Sequence, residues 1–115
     1  MSKEVAQIIQ HQINVGKDEI SNRNGKYLQI CWGVTKRMFL ESNGKHKGGL
    51  VLVVNGNFHK GEVHITLSGN DDYDIAFLKN GECVYRTEGI YDESLTRIID
   101  SYVESNSMQH HKVAA

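Results

Sequence analysis

Apolar residues recur at helical spacing near the two ends of the chain. Residues 2–14 are predicted to form a helix with Ser2 as its N-cap, because apolar side chains return there every three or four positions. Those side chains are Val5, Ile8, Ile9 and Ile13. A second helix is predicted at residues 93–105, after an N-cap at Asp92. Its apolar stripe consists of Leu95, Ile98, Ile99, Tyr102 and Val103. Each helix has one apolar side, which requires a surface to cover.

Between the helices, apolar and polar residues alternate, which is typical of β-strands with one buried face. The six predicted strands span residues 26–32, 34–41, 49–54, 58–68, 72–79 and 82–87. Short links join successive strands, so the neighbours are antiparallel, because parallel pairing requires a long crossover. We therefore expect a two-layer α+β fold, in which an antiparallel meander of five or six strands is flanked by an N-terminal and a C-terminal helix. Residues 1–115 are expected to form a single domain, with 106–115 as a flexible tail.

Glycine and asparagine determine where the predicted strands reverse. Asn-Gly pairs stand at positions 24–25, 43–44, 55–56 and 80–81, and the chain contains no proline. The pairs at 55–56 and 80–81 lie between strands and predict type I′ hairpin turns, which require positive φ angles. The pair at 43–44 begins a longer loop at residues 42–48, and residues 69–71 predict another tight reversal.

The predicted strand at residues 49–54 is apolar on both faces. Three of its side chains share one face, while Val51 and Val53 point to the other. A strand of this kind is covered on both sides, either by curling of the sheet or by a partner. If both helices pack on one face, Val51 and Val53 become candidates for an interface. The plainest form of such an interface is self-association into a homodimer.

Charge is unevenly distributed, although 13 Lys and Arg against 14 Asp and Glu give a net charge of −1. Residues 34–60 carry a net charge of +4, whereas residues 61–104 carry −7. The basic residues of the first segment are Lys36, Arg37, Lys45, Lys47 and Lys60. With Phe39 and Phe58 nearby, this hairpin predicts an alternative function in nucleic-acid binding, since cations follow phosphates and aromatic rings stack on bases. Dedicated nucleic-acid-binding proteins are usually basic overall, which favours a protein partner instead.

Metal-ligating residue types cluster at His59, Glu62 and His64. On a strand, Glu62 and His64 point to the same side, as a chelating pair requires. A catalytic metal needs a third protein ligand, and the sequence does not identify one. A small metal-dependent hydrolase is therefore a further alternative, and a polar row on the sheet is the simpler interpretation. We assign no metal, cofactor or catalytic residue, because no nucleophile-elbow, zinc-protease or phosphate-loop motif occurs in the sequence.

Two observations favour the cytoplasm over a membrane or secretion. The longest aliphatic run, residues 50–54, is far shorter than the ~20 residues of a membrane helix. The first residues lack the apolar core of a signal peptide. Cys31 and Cys83 are expected to be free thiols, buried in strands. Trp32 is expected to be a core residue.

Three segments carry a resemblance to a known group of proteins. Residues 48–56, 60–67 and 72–77 read GGLVLVVNG, KGEVHITL and DYDIAF. With the helix around residues 95–99, they resemble small uncharacterised proteins carried by bacterial phages and mobile elements. The resemblance implies no catalytic residues and favours an accessory or host-interacting protein. The sequence therefore predicts a small cytoplasmic protein-interaction module without catalytic activity.

Overall fold

The computed structural model describes residues 2–18 and 23–105, and this part of the chain forms three α-helices and two antiparallel sheets. The helices are α1 (Ser2–Val15), α2 (Gly25–Cys31) and α3 (Leu95–Asp100). A small sheet pairs β1 (Lys17–Asp18) with β2 (Arg23–Asn24). The main sheet has the order β3 (Lys36–Leu40), β4 (Gly49–Asn55), β5 (Lys60–Leu67), β6 (Tyr73–Lys79) and β7 (Glu82–Ile90). The predicted two-layer α+β fold is confirmed, and the predicted tail at 106–115 lies outside the described residues.

The core lies between the helices and one face of the main sheet, here called the inner face. Val63, Ile65, Ile75 and Phe77 contribute from this face and are fully buried. They join one cluster with apolar side chains of the helices, namely Ala6, Ile9, Ile13, Leu28, Leu95, Ile98 and Ile99. The opposite, outer face carries the alternate residues, among them Met38, Val51 and His64, which are cross-strand neighbours. The described helices contribute their buried apolar side chains to the inner face, as expected for a sheet with one wet side.

The first predicted strand, residues 26–32, is wrong, because this segment is the helix α2. Asn24 Oδ1 accepts a hydrogen bond of 3.0 Å from the backbone N–H of Tyr27 and caps the helix. Leu28 and Trp32, four residues apart, both point into the core, as helical spacing requires. This Asn-Gly pair therefore starts a helix. Trp32 is a fully buried core residue, as predicted.

The five other predicted strands are confirmed, with ends that differ by three residues at most. Asn80 and Gly81 have φ angles of 54° and 82°, as a type I′ turn requires. The type I′ turn predicted at 55–56 is wrong, because Asn55 ends β4 and pairs with Lys60, leaving a longer link between β4 and β5. The reversal at 69–71 is confirmed, with Asp71 at a φ of 64°.

The C-terminal helical segment changes its winding twice. It begins as a 3₁₀ turn at Asp92–Ser94, continues as α3, and ends as a π-helical turn at Ser101–Ser105. The predicted N-cap at Asp92 is wrong, because the 3₁₀ turn begins at Asp92 itself, one residue before the predicted helix start at residue 93. Tyr91 therefore stands in the capping position. At the other end, the carbonyl of Val103 accepts hydrogen bonds from the N–H groups of Phe58 and His59, at 2.9 and 3.0 Å. The β4–β5 link is thereby fixed to the end of the helix.

The helices α1, α2 and α3 meet at a junction of close backbone contacts. A Cβ atom on Gly25 would lie 1.7 Å from the carbonyl oxygen of Ile13, so only glycine fits there. Thr96 Oγ1 donates a hydrogen bond of 2.8 Å to the same carbonyl. The N–H of Gly25 donates to the carbonyl of Gly16 at 2.8 Å. These contacts set the position of α2 against the end of α1.

None of the helices in the described ranges is long and apolar enough to cross a membrane. The longest of them, α1, has 14 residues, against the roughly 20 that a bilayer requires.

Gly25→Ala is expected to lower the free energy of unfolding by about 3 kcal/mol or more, because the new methyl group collides with backbone rather than with a flexible side chain. The matched control is Gly44→Ala, since a Cβ atom there meets nothing within 4 Å. We expect the control to change the free energy of unfolding by less than about 0.5 kcal/mol. Urea unfolding followed by circular dichroism measures both variants. Equal stabilities of the two variants would contradict the close approach of α2 to α1.

Candidate functional site

The basic residues of the predicted nucleic-acid-binding hairpin lie in separate places. Lys36 and Lys60 are near the end of the sheet where β4 meets β5, as their pairing shows. Lys45 and Lys47 lie in the β3–β4 loop at the opposite end, roughly 13 Å away along β3 at about 3.3 Å per residue. Lys47 Nζ is 2.6 Å from Asp71 Oδ1. The described basic residues therefore lie in two groups, one toward each end of β3.

Of the three metal-ligand candidates, Glu62 and His64 lie together, whereas His59 points elsewhere. His64 Nε2 lies 2.7 Å from Glu62 Oε1 on the outer face, the same-side placement that alternation predicts. His59 instead contacts the core, with its ring centroid 5.6 Å from that of Phe77 and 5.5 Å from that of Tyr102. Among residues 2–18 and 23–105, no three His, Cys, Asp or Glu side chains are grouped as metal ligands.

His59 is a buried titratable group, with 3% of its surface exposed. Its Nε2 atom lies 3.1 Å from the carbonyl oxygen of Glu62. A carbonyl only accepts, so this nitrogen carries the proton of the neutral ring. Burial lowers the pKa of His59 below its ordinary value of 6.5, against the opposing effect of the Glu62 carbonyl. The folded protein therefore holds this ring neutral at pH 7.

Two sequence-based expectations about buried side chains need correction. Cys31 and Cys83 are free thiols, as predicted, but Cys31 is partly exposed at the end of α2 and Cys83 is exposed on β7. The expectation that both are buried in strands is therefore wrong. Val51 lies on the outer face and is only 2% exposed, flanked by the longer side chain of Met38. With Val53 only partly exposed, the two valines do not form an open apolar surface.

Strand β3 forms an open edge of the main sheet. In the part of the chain that the structure describes, β3 pairs only with β4 and no strand lies along its other edge. Four of its five residues are exposed. Alternate N–H and C=O groups of an edge strand point away from the sheet and are free to pair. The other edge, β7, is interrupted by two register shifts, which blunt an edge, whereas β3 pairs with β4 without a shift.

A groove of about 230 Å³ lies between α1 and β3, and is here called the edge groove. Its apolar lining consists of Ala6, Phe39 and Leu50, and its polar rim of Lys3, Gln7, Gln10 and Arg37. Met38 borders the groove, with its side chain on the outer face of β3. Phe39 is 48% exposed and Met38 is 37% exposed, so both are accessible to a binding partner. The groove and the open strand edge form one continuous candidate site.

A network of amide side chains fixes Arg37 at the rim of the edge groove. Arg37 Nε donates to Gln10 Oε1, and Arg37 Nη2 donates to Gln29 Oε1, both at 3.0 Å. Gln10 Nε2 donates to Asn14 Oδ1 at 2.8 Å and to Gln29 Oε1 at 2.9 Å. Gln29 Nε2 donates to Asn14 Oδ1 at 2.7 Å and to the carbonyl of Gly25 at 2.9 Å. The hydrogen-bond partners of the guanidinium in this network are neutral, so it keeps its full charge while its position is restrained.

The sequence analysis identified Arg37 and Phe39 and missed the amide network. Gln7, Gln10 and Asn14 follow one another three and four residues apart, so helical spacing alone places them on one side of α1. That signal was available in the sequence. Gln29 was out of reach, because its segment was predicted to be a strand.

Comparison with known proteins gave no match. No family model, no curated protein and no solved structure matches this chain.

His59 makes the stability of the fold depend on pH. The unfolded chain binds a proton at this residue more readily than the folded protein does, so the free energy of unfolding falls as the pH drops below about 6.5. His59→Gln retains an amide donor for the Glu62 carbonyl and does not titrate. We expect the variant to be less stable than the original chain near neutral pH and to show a shallower loss between about pH 7.5 and pH 5.5. Urea unfolding at several pH values measures both slopes, and equal slopes would contradict the assignment.

Proposed function

We propose that this chain is a small cytoplasmic protein-interaction module without catalytic activity, which binds its partner at β3 and the edge groove. The observation that carries the proposal is the occurrence in one place of a restrained guanidinium, an exposed Phe39 and an open strand edge. Phe, Met and Arg are enriched in protein interfaces, and consecutive residues of β3, Arg37, Met38 and Phe39, supply all three.

The chemistry of the edge groove supports binding rather than catalysis. Its described lining offers amides, a guanidinium, an amine and apolar groups, without a carboxylate, imidazole, thiol or hydroxyl side chain. Those four groups supply most general bases and nucleophiles of enzymes. The free state of both cysteines suits the reducing cytoplasm. The resemblance to small proteins of bacterial phages and mobile elements supports an accessory role of the same kind.

Selection from a displayed random-peptide library tests whether this site binds protein segments. The intact chain is expected to enrich peptides whose binding Phe39→Ser weakens at least about tenfold, because a partly buried aromatic anchor supplies much of the binding energy. Val84→Ser is the matched control, since Val84 is also 48% exposed but lies on β7. We expect the control to bind the selected peptides as the original chain does.

Two results would contradict the proposal. The first is enrichment of no peptide above background. The second is enrichment of peptides that bind Phe39→Ser and the original chain equally well. Phe39 is half-exposed, so its replacement leaves the buried core in place, and circular dichroism verifies that the variant is folded.

A second copy of the chain is a further partner to test. The partly exposed apolar side chains of Val53 and Leu78, which lie in one cross-strand row on either side of Glu62, favour self-association through the outer face. Light scattering at micromolar concentration is then expected to give twice the chain mass of 13.0 kDa. A mass of one chain would contradict the homodimer and leave the edge groove available to other partners.

A further inference from the structure

We propose that the edge groove binds an acidic segment of a partner protein in extended conformation, which adds to the main sheet as a strand beside β3. The inference rests on the proposed function and adds the conformation, the sign of the charge and the residue pattern of the partner segment.

The backbone of β3 sets the conformation of the partner. Residues 36–40 pair with β4 in unbroken register, so their outward N–H and C=O groups are spaced regularly. An extended segment satisfies such groups with main-chain hydrogen bonds, the mode known as β-augmentation. The two register shifts of β7 break the corresponding spacing on the other edge. Addition of a strand is therefore expected at β3.

The rows of side chains across the sheet set the pattern of the partner. Phe39 continues an inner-face row formed by Leu50 and Ile65, so a partner residue opposite Phe39 is expected to be apolar. Arg37 lies two residues away on the same face, and the residue opposite it is expected to be acidic. On the outer face, an apolar residue suits Met38 and an acidic residue suits Lys36. An antiparallel partner then reads apolar, apolar, acidic, acidic.

The charge around the edge groove supports an acidic segment. Lys36 and Arg37 lie at the start of β3, Lys3 of α1 also lines the groove, and Glu41 follows the strand at its other end. Because the amide network already holds Arg37 in place, a partner carboxylate meets a guanidinium that has little freedom left to lose. A guanidinium also offers further N–H donors for a charge-assisted hydrogen bond.

Synthetic peptides with fluorescent labels test this inference by anisotropy. The first is a capped Thr-Thr-Val-Ile-Glu-Asp-Thr peptide, and its matched control has lysine at both acidic positions. The acidic peptide is expected to bind the intact protein at least about tenfold more tightly than the lysine peptide, and less tightly as salt is raised. Arg37→Gln is expected to weaken binding about tenfold. Arg86→Gln, an exposed arginine on β7, is the matched control and is expected to bind normally.

A charge reversal and backbone methylation separate this binding mode from a loss of folding. Lys36→Glu leaves the amide network intact and is expected to lose most of the preference for the acidic peptide, because the new carboxylate repels the acidic residue opposite it while Arg37 still attracts its own. In one acidic peptide the backbone nitrogens of Val and Glu are methylated, and in a second those of Ile and Asp. Each peptide lacks the N–H donors along one edge of its strand, so the peptide whose missing donors face β3 is expected to lose binding. Equal binding of both methylated forms and the parent would overturn the added strand.

The remaining outcomes distinguish this inference from the proposed function. Absence of binding at about millimolar acidic peptide, or equal binding of the acidic and lysine peptides, would overturn the acidic partner. If the library peptides that depend on Phe39 are neutral or basic, the proposed function stands and this inference fails. Loss of peptide binding as the protein dimerises would show that a second copy fills the edge, which also overturns it.

Discussion

The close approach of Gly25 to the carbonyl of Ile13 is the constraint on which the arrangement of the helices depends. No other residue type fits at that position, since a Cβ atom would lie 1.7 Å from the oxygen. The contact places α2 at the end of α1, where Thr96 of α3 bonds to the same carbonyl. One peptide group thus contacts all three helices. A seven-residue helix such as α2 has little stability of its own, so its position comes from this contact and from Trp32 in the core.

The same constraint determines the chemistry of the candidate site. With α2 in place, Gln29 lies beside Gln10 and Asn14 of α1, and Gln10 and Gln29 hold Arg37. The contrast with the exposed pair of Lys47 and Asp71 is instructive. Those two side chains are 48% and 77% exposed and neutralise each other in a pair that contributes little to stability. Arg37 is held by neutral groups, so it keeps a charge that a partner is able to use.

Local rules predicted the sheet well, and contacts between distant segments decided the rest. Alternation identified five strands, and the turn at Asn80 and Gly81 depends only on the φ angles of its own two residues. In α2, the spacing of Leu28, Ile30 and Trp32 fits a strand, yet Ile30 is 77% exposed in the helix. The link after Asn55 follows its contact with Val103, which is distant in sequence. Arg37 was identified as a binding residue from its own segment, whereas the amides that restrain it lie on distant segments and were not identified.

Amide hydrogen exchange of β3, with and without a bound library-selected peptide, tests the central claim most directly. If the open edge and the edge groove bind partners through an added strand, alternate amides within residues 36–40 gain protection in the complex. Those of β7 exchange as they do in the free protein. Protection that appears only in β4 to β7, with the amides of β3 unchanged, would contradict the account.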